Sequence, residues 1–202
     1  MGPHWGTHFS RNNYYRGAGF KEMTNFSAYL PMQTSALQRR MHEADEMQKI
    51  CELAAPAIRT ELNALNLLKT ICRLESSFGK DCSARFEPAY YPGGFYFKKS
   101  TMLQEGWDRY GSLVSFSYGP FQILWVKASE LGYPLSNHPL DLWNGYYSSP
   151  YVVELLNDLG IRGIKSLEDV LAAYNGGMGA LKRPTDATKR YITNGIAIYG
   201  RL

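Results

Sequence analysis

The stretch "LNLLKTICRLESSFG", residues 65 to 79, constrains this chain more than any other. In it Leu65, Leu68, Ile71 and Cys72 recur at steps of three and four, the period of an amphipathic helix. Glu75 follows three residues after Cys72, four after Ile71 and seven after Leu68, so it shares their face. Burying a carboxylate is costly unless a neighbour uses its charge. The fold must therefore place something polar or reactive against the end of this helix.

Other segments carry the same period. "SALQRRMHEADEMQKICELAA", from Ser35, brings Leu37, Met41, Ala44, Met47 and Cys51 to one face. Pro56 interrupts it, and the spacing predicts a second helix from about Ala57 to Glu75 or Ser77. A helix is expected from near Pro120 through "FQILWVKASELG", stopped by Gly132, and another over "SSPYVVELLNDLG" to Gly160. In "SLEDVLAAYNGG", Ser166 is a candidate N-cap with Asp169 three residues on. Leu167, Val170, Leu171 and Tyr174 form its stripe, and Gly176 and Gly177 end it. A last helix is expected from near Pro184 to Tyr199. Between Gly79 and Ser117, "EPAYYPGGFYFKKS" mixes turn formers with aromatics and reads as a loop or short hairpin. Residues 1–34 are rich in Gly, Asn, Tyr and Ser without a period and read as an irregular arm. The expected architecture is a mainly α single domain over residues 35–202, with a small loop or hairpin insertion and the N-terminal arm.

The net charge of +4 favours an anionic polymer, but no Lys/Arg run marks a nucleic-acid arm, and none is expected to be bound. No stretch has the length of a transmembrane helix, so no membrane insertion is expected. The first twenty residues lack a basic end followed by an apolar core, so the expectation is no Sec-type signal peptide and export by another route. Cys51, Cys72 and Cys82 form no CxxC pair and read as reduced, packed thiols, with a Cys72–Cys82 bridge as the alternative in an oxidising compartment. Without an HExxH, EF-hand or Cys/His cluster, no metal or cofactor is called for.

Three sites carry candidate chemistry. Glu75 sits at a helix C-terminus among apolar residues, and both settings disfavour its anion. A carboxylic acid kept protonated is what a glycosidase uses on a leaving oxygen. The plainer alternative is a surface Glu, or one paired with Arg73 or Arg85. In "SFSYGPFQILW", Gly119 permits close backbone approach and Pro120 suits a first helical turn. Gln122 there is an amide in an apolar run, for which a ligand hydroxyl or N-acetyl group would serve as partner, unless it lies on the surface. In "AAYNGGMGAL", Tyr174 and Asn175 are either site residues or a packed ring and a helix stop.

In that order, Glu75-Ser76, Gly119-Pro120-Phe121-Gln122 and Ala173-Tyr174-Asn175-Gly176-Gly177 resemble the lytic transglycosylase group of the lysozyme superfamily, over about residues 60 to 200. The resemblance implies a lysozyme-like helical domain around a glycan cleft. It also implies cleavage of the β-1,4 bond between N-acetylmuramic acid and N-acetylglucosamine in peptidoglycan. Carried over by position, Glu75 is the catalytic acid and then base, and Tyr174 positions Glu75 or the intermediate. Ser76 orients the site, Gly119 and Gln122 line the sugar subsites, and Asn175 holds the local turn. Three positions depart from the family pattern: Gly-Pro-Phe-Gln stands for Gly-Leu-Met-Gln, and Gly176 stands for an Ala. The gap from Glu75 to Gln122 is long, and its "RFEPAYY" looks like the Phe-Glu element of phage-type N-acetylmuramidases.

Transglycosylation requires no second carboxylate, whereas a hydrolase needs a placed water. Glu87 is the candidate for that second role, with Asp81 and Glu105 behind it and an ion pair to an Arg as its alternative. Stacking on sugar faces is expected from among Tyr90, Tyr91, Phe95, Tyr118, Trp125 and Tyr146. A lytic transglycosylase is the expected activity. A hydrolytic N-acetylmuramidase, an inactive glycan-binding module of a virion and a plain helical interaction protein are the alternatives. An irregular arm beside a wall-cutting domain points to a bacteriophage protein. It would be carried in the virion, docked on other virion proteins through residues 1–34, or released to the wall as an endolysin.

Overall fold

The helix that ends on the carboxylate forms where its cap allows. In the computed structural model, which describes residues 43–202, α1 spans Ala44–Ala54 and α2 spans Ala64–Ser76. The arm expected over residues 1–34 and the start of the helix expected from Ser35 lie outside the described residues. α2 begins later than its apolar spacing predicts. The Asn63 side chain accepts the Asn66 N–H as N-cap, and Asn157 claims the backbone just upstream. Asn157 accepts from the Arg59 N–H (2.7 Å) and donates to the Ala57 carbonyl (3.2 Å), so those groups are spent on a long-range contact. At its other end α2 stops in two left-handed residues, Ser77 (φ 52°) and Phe78 (φ 63°). Their N–H groups return to the Arg73 and Cys72 carbonyls, which leaves Glu75 on the last turn.

The long segment after α2 holds more structure than the loop or short hairpin expected of it. It holds a strand β1 (Arg85–Phe86) and a ten-residue helix α3 (Thr101–Tyr110) capped by Ser100, whose hydroxyl accepts the Leu103 N–H. β1 pairs antiparallel with β2 (Phe116–Tyr118), with Phe86 opposite Phe116, and β2 pairs with β3 (Ile123–Leu124), with Tyr118 opposite Ile123. The helix expected from Pro120 is a hairpin turn instead. Gly119 (φ 73°) and Gln122 (φ 49°) are both left-handed, a conformation through which no α-helix runs. Gly119 is also required by space, since a Cβ there would lie 2.4 Å from the Leu142 carbonyl oxygen. α4 (Trp125–Glu130) follows β3 directly.

α5 (Gly145–Ile161) starts ahead of Ser148 because Asn144 caps it, accepting the Tyr146 N–H. α6 (Leu167–Gly176) carries the expected Ser166 cap, and α7 (Asp186–Tyr199) is capped by Thr185. The domain is mainly helical, as expected, and among the described residues it holds one three-stranded sheet. α7 packs on α2 and α6, and α1 packs on α5. Gly195 sets the first of these distances: a Cβ there would sit 2.5 Å from Leu171 Cδ1 and 3.1 Å from Leu74 Cδ1. A helical glycine costs about 1 kcal/mol against alanine, and here it lets α7 lie close on α2. Among the described residues, no helix is long and apolar enough to cross a membrane.

Candidate active site

Because α7 lies close, a side chain one turn before Gly195 on the same face reaches the end of α2. That side chain is Tyr191, whose hydroxyl donates to Glu75 Oε1 at 2.8 Å. Arg85, on β1, meets the other carboxylate oxygen, with Nη1 to Oε2 at 3.2 Å, and its Nη2 donates to the Glu75 backbone carbonyl. Glu75 itself is only 7% exposed, yet it lines an open cleft of about 680 Å³. Burial pushes its carboxyl above the ordinary carboxylate value, the Tyr191 hydrogen bond and the Arg85 charge pull it back, and Glu87 adds a smaller upward push. Burial first, and the Glu75 charge second, push the Tyr191 and Tyr174 phenols well above their usual value, so Tyr191 acts here as a donor. The result is a carboxyl in low-dielectric surroundings, oriented through both oxygens and open to a ligand on one side.

The expected site residues divide into those on the cleft wall and those behind it. Glu75, Glu87, Gln122, Tyr174 and Asn175 all line the cleft. Gln122 is committed inward: its Nε2 donates to the Ser83 and Gly119 carbonyls (3.1 and 2.9 Å) and its Oε1 accepts from the Ser117 hydroxyl (3.0 Å). With both amide protons used, it can offer a sugar only the second lone pair of Oε1. Tyr174 does not touch Glu75 by hydrogen bond; its hydroxyl donates to the Phe121 carbonyl at 2.8 Å, pinning the hairpin turn to α6. Asn175 is exposed at the end of α6. Ser76 and Gly119 are not on the wall. The Ser76 hydroxyl donates to the Pro120 and Cys72 carbonyls and accepts the Gly79 N–H, so it ties the end of α2 to the hairpin turn.

Burial pushes Glu87 up as well, opposed by Arg85 and Ser117, so the Arg85 charge favours the ionised form of both cleft carboxyls. Asp81 and Glu105, the reserves for a second acid, are exposed and off the cleft wall; Asp81 is occupied by Ser83. Of the aromatics expected to stack on sugar, Tyr118 and Trp125 are excluded by full burial, and only Tyr90 lines the cleft. Tyr96, absent from that set, lines it too. The three cysteines are free and buried, so Cys72 and Cys82 are not bridged. Among the described residues, no group of His, Cys, Asp and Glu could hold a metal ion. Tyr191 is the residue that sequence reading missed; "KRYITNG" carries no local mark that sets it apart from an ordinary packed ring.

A buried carboxyl at a helix end, held by a tyrosine and an arginine on the wall of a cleft, suits proton transfer to a bound ligand. The model of the transglycosylase SLT domain family matches residues 53–196, which takes in every one of these elements from the end of α1 to α7. The chain belongs to the transglycosylase SLT family. Neither a curated protein nor a solved structure matches it significantly. As an SLT-domain lytic transglycosylase it cleaves peptidoglycan, and its domain is lysozyme-like and mostly helical. Within that domain Glu75 lines the cleft between the sheet, α4 and α6.

Proposed function

We propose that Glu75 is the general acid and then the general base for cutting the bond between N-acetylmuramic acid and N-acetylglucosamine. The observation that carries this is a carboxyl raised by burial, gripped by Tyr191 and Arg85, and still facing the cleft. In the first step the Glu75 proton goes to the glycosidic oxygen, the C1–O bond breaks, and C1 gains oxocarbenium character supported by the substrate's own N-acetyl oxygen. In the second step the muramyl C6 hydroxyl attacks C1 while Glu75, now a carboxylate, takes the hydroxyl proton. The product is a 1,6-anhydro ring, and no water enters. Tyr191 keeps Oε1 fixed through both steps, and Tyr174 and Ser76 hold the hairpin turn that carries Gln122.

Glu87 supports a second reading. It lines the same cleft and feels the same Arg85 charge, so it is a carboxylate on that wall that would place a water for hydrolysis. Mass spectrometry of fragments released from purified peptidoglycan separates the two. Anhydro-muramyl ends from the wild-type chain, lost in Glu75→Gln, are the expected result. Reducing ends would move the water-placing role to Glu87, and undiminished release by Glu75→Gln would remove Glu75 as the acid.

For delivery, the proposal is a bacteriophage protein that opens the wall locally, with residues 1–34 docking on other virion proteins or, failing that, an endolysin. The arm's irregular composition beside a wall-cutting domain supports it. Proteomics of purified particles tests it: a virion role requires the chain to be present in them.

A further inference from the structure

The segment between β1 and α3 builds a part of the cleft that the acid chemistry does not use. Tyr90 and Tyr96 stack there, with ring centroids 4.8 Å apart and planes 22° off parallel. Phe95 meets Tyr96 edge-on at 5.1 Å, and the Lys99 ammonium sits 3.8 Å over the Phe95 ring. Tyr90, Tyr96 and Lys99 all line the same cleft as Glu75. Tyr96 is 47% exposed although its ring is stacked on one side, and it lines the cleft.

This array is held rigidly. The Tyr96 N–H donates to the Ala89 carbonyl (2.9 Å), and the Ser115 hydroxyl donates to the Tyr90 carbonyl (2.9 Å). Gly94 fits beneath it so closely that a Cβ would lie 2.5 Å from the Pro88 and Ala89 carbonyl oxygens. Lys99 also differs from the other lysine of the cleft. Lys127 is paired with Glu130 at 2.8 Å, whereas Lys99 has no carboxylate within ion-pair distance among the described residues. A rigid aromatic face beside an uncompensated ammonium is suited to a flat sugar ring that carries a negative charge.

We propose that residues 88–100 form a subsite for a carboxylate-bearing sugar of the glycan strand, with Tyr96 as its stacking face and Lys99 as its counter-ion. The sugar class is a muramyl residue, whose acidic group is either a free lactyl carboxylate or a carboxylate of an attached stem peptide. The proposal rests on the reading of this cleft as the glycan cleft. It makes this segment a determinant of specificity, distinguishing acidic wall glycan from neutral polymers of N-acetylglucosamine.

The test is equilibrium binding in the Glu75→Gln background, where no turnover is expected, to three soluble ligands. These are a neutral N-acetylglucosamine tetramer, a wall tetrasaccharide stripped of its peptides, and the same tetrasaccharide with peptides attached. Tyr96→Leu should weaken all three by about fivefold, in the range of aromatic contacts, and Tyr96→Phe should bind like the parent. Lys99→Gln should leave the neutral tetramer unchanged and weaken an acidic ligand by about threefold at low salt. Whether the stripped or only the peptide-bearing strand responds identifies the source of the carboxylate. Unchanged binding by Tyr96→Leu, equal loss on the neutral ligand by Lys99→Gln, or no saturable binding by the parent would each overturn the subsite. Matching circular dichroism spectra and melting temperatures exclude misfolding as the cause. These affinities do not depend on turnover, so fragment release by Glu75→Gln would count against the acid role alone.

Discussion

Ser76→Ala should cost stability rather than sugar binding. The Ser76 side chain is 1% exposed, and its hydroxyl donates to the Pro120 carbonyl at 2.8 Å and accepts the Gly79 N–H at 2.9 Å. Alanine takes the donor from Pro120 and leaves the Gly79 N–H without its acceptor, while the Cys72 carbonyl keeps its helical partners. A buried polar group deprived of its partner costs about 1–3 kcal/mol, so the two together should cost about 3 kcal/mol. For a domain of this size that corresponds to a melting temperature lower by roughly 6–12 °C. Urea titration gives the free energy, calorimetry gives the midpoint, and initial rates on soluble wall fragments give KM. The expected outcome is a large loss of stability with KM unchanged, because Ser76 is not on the cleft wall. A loss below about 0.5 kcal/mol, the ordinary range for a surface change, would mean that water replaces the hydroxyl and would refute the reasoning. So would a raised KM with unaltered stability, since that is the signature of a residue facing the sugar.

Four further outcomes follow from the geometry around Glu75. Arg85→Gln removes a charge that favours the Glu75 carboxylate, so the acid should hold its proton to higher pH and the alkaline limb of kcat/KM should move upward; movement downward would contradict the ion pair's role. Tyr191→Phe loses the bond to Oε1 and should lower kcat by about tenfold with KM little changed, as for other orienting groups; equal kcat would show that the hydroxyl is idle. Gly195→Ala overpacks α7 against Leu171 and Leu74 by about 1–3 kcal/mol, less about 1 kcal/mol of helix propensity, and should lower kcat as Tyr191 is lifted away; full activity at reduced stability would break that link. Glu75→Gln should remove a pH dependence of stability. A carboxyl raised on folding contributes stability below its unfolded value that is lost as pH rises through the folded value, so the variant should be at least as stable as wild type at pH 8; urea midpoints at pH 5 and pH 8 decide.

Local signals made much of this legible before folding. Apolar spacing placed Glu75 on the inward face of α2, and a capping pattern placed α6 to within a residue of where it lies. Failures came where distant groups overrode local ones. Asn157 holds the backbone at Ala57 and Arg59, about a hundred positions away in sequence, so the spacing could not reveal a delayed start to α2. Pro120 looks like a helix opener, but the left-handed residues on either side of it make a hairpin, and only the contact of Gly119 with Leu142 explains why. Tyr191, for which the sequence raised no expectation, makes the hydrogen bond to Glu75, and Tyr174 bonds the Phe121 carbonyl, for the same reason. Which ring reaches Glu75 depends on how closely α7 packs, and that is set by Gly195 and its neighbours on other helices. Helix α3 was hidden because turn formers and aromatics dominate the residues just before it.

The pairing of β1 with β2 has a consequence for how such a domain can diversify. The Glu87 N–H donates to the Ser115 carbonyl at 2.8 Å, immediately beside the Phe86–Phe116 pair. The chain leaves the sheet and re-enters it at this clasp, and the stretch between is tied down elsewhere as well: the Arg109 guanidinium and the Tyr110 hydroxyl donate to the Leu135 carbonyl (3.1 and 3.0 Å), and the Tyr118 hydroxyl donates to the Leu113 carbonyl. Leu103, Gly106 and Val114 are its buried residues, Gly106 packing against the Trp125 ring, which Tyr110 also meets edge-on at 6.0 Å. If the proposed subsite holds, a replacement cassette that keeps these contacts changes which polymer is gripped and leaves Glu75, outside the exchanged stretch, in place.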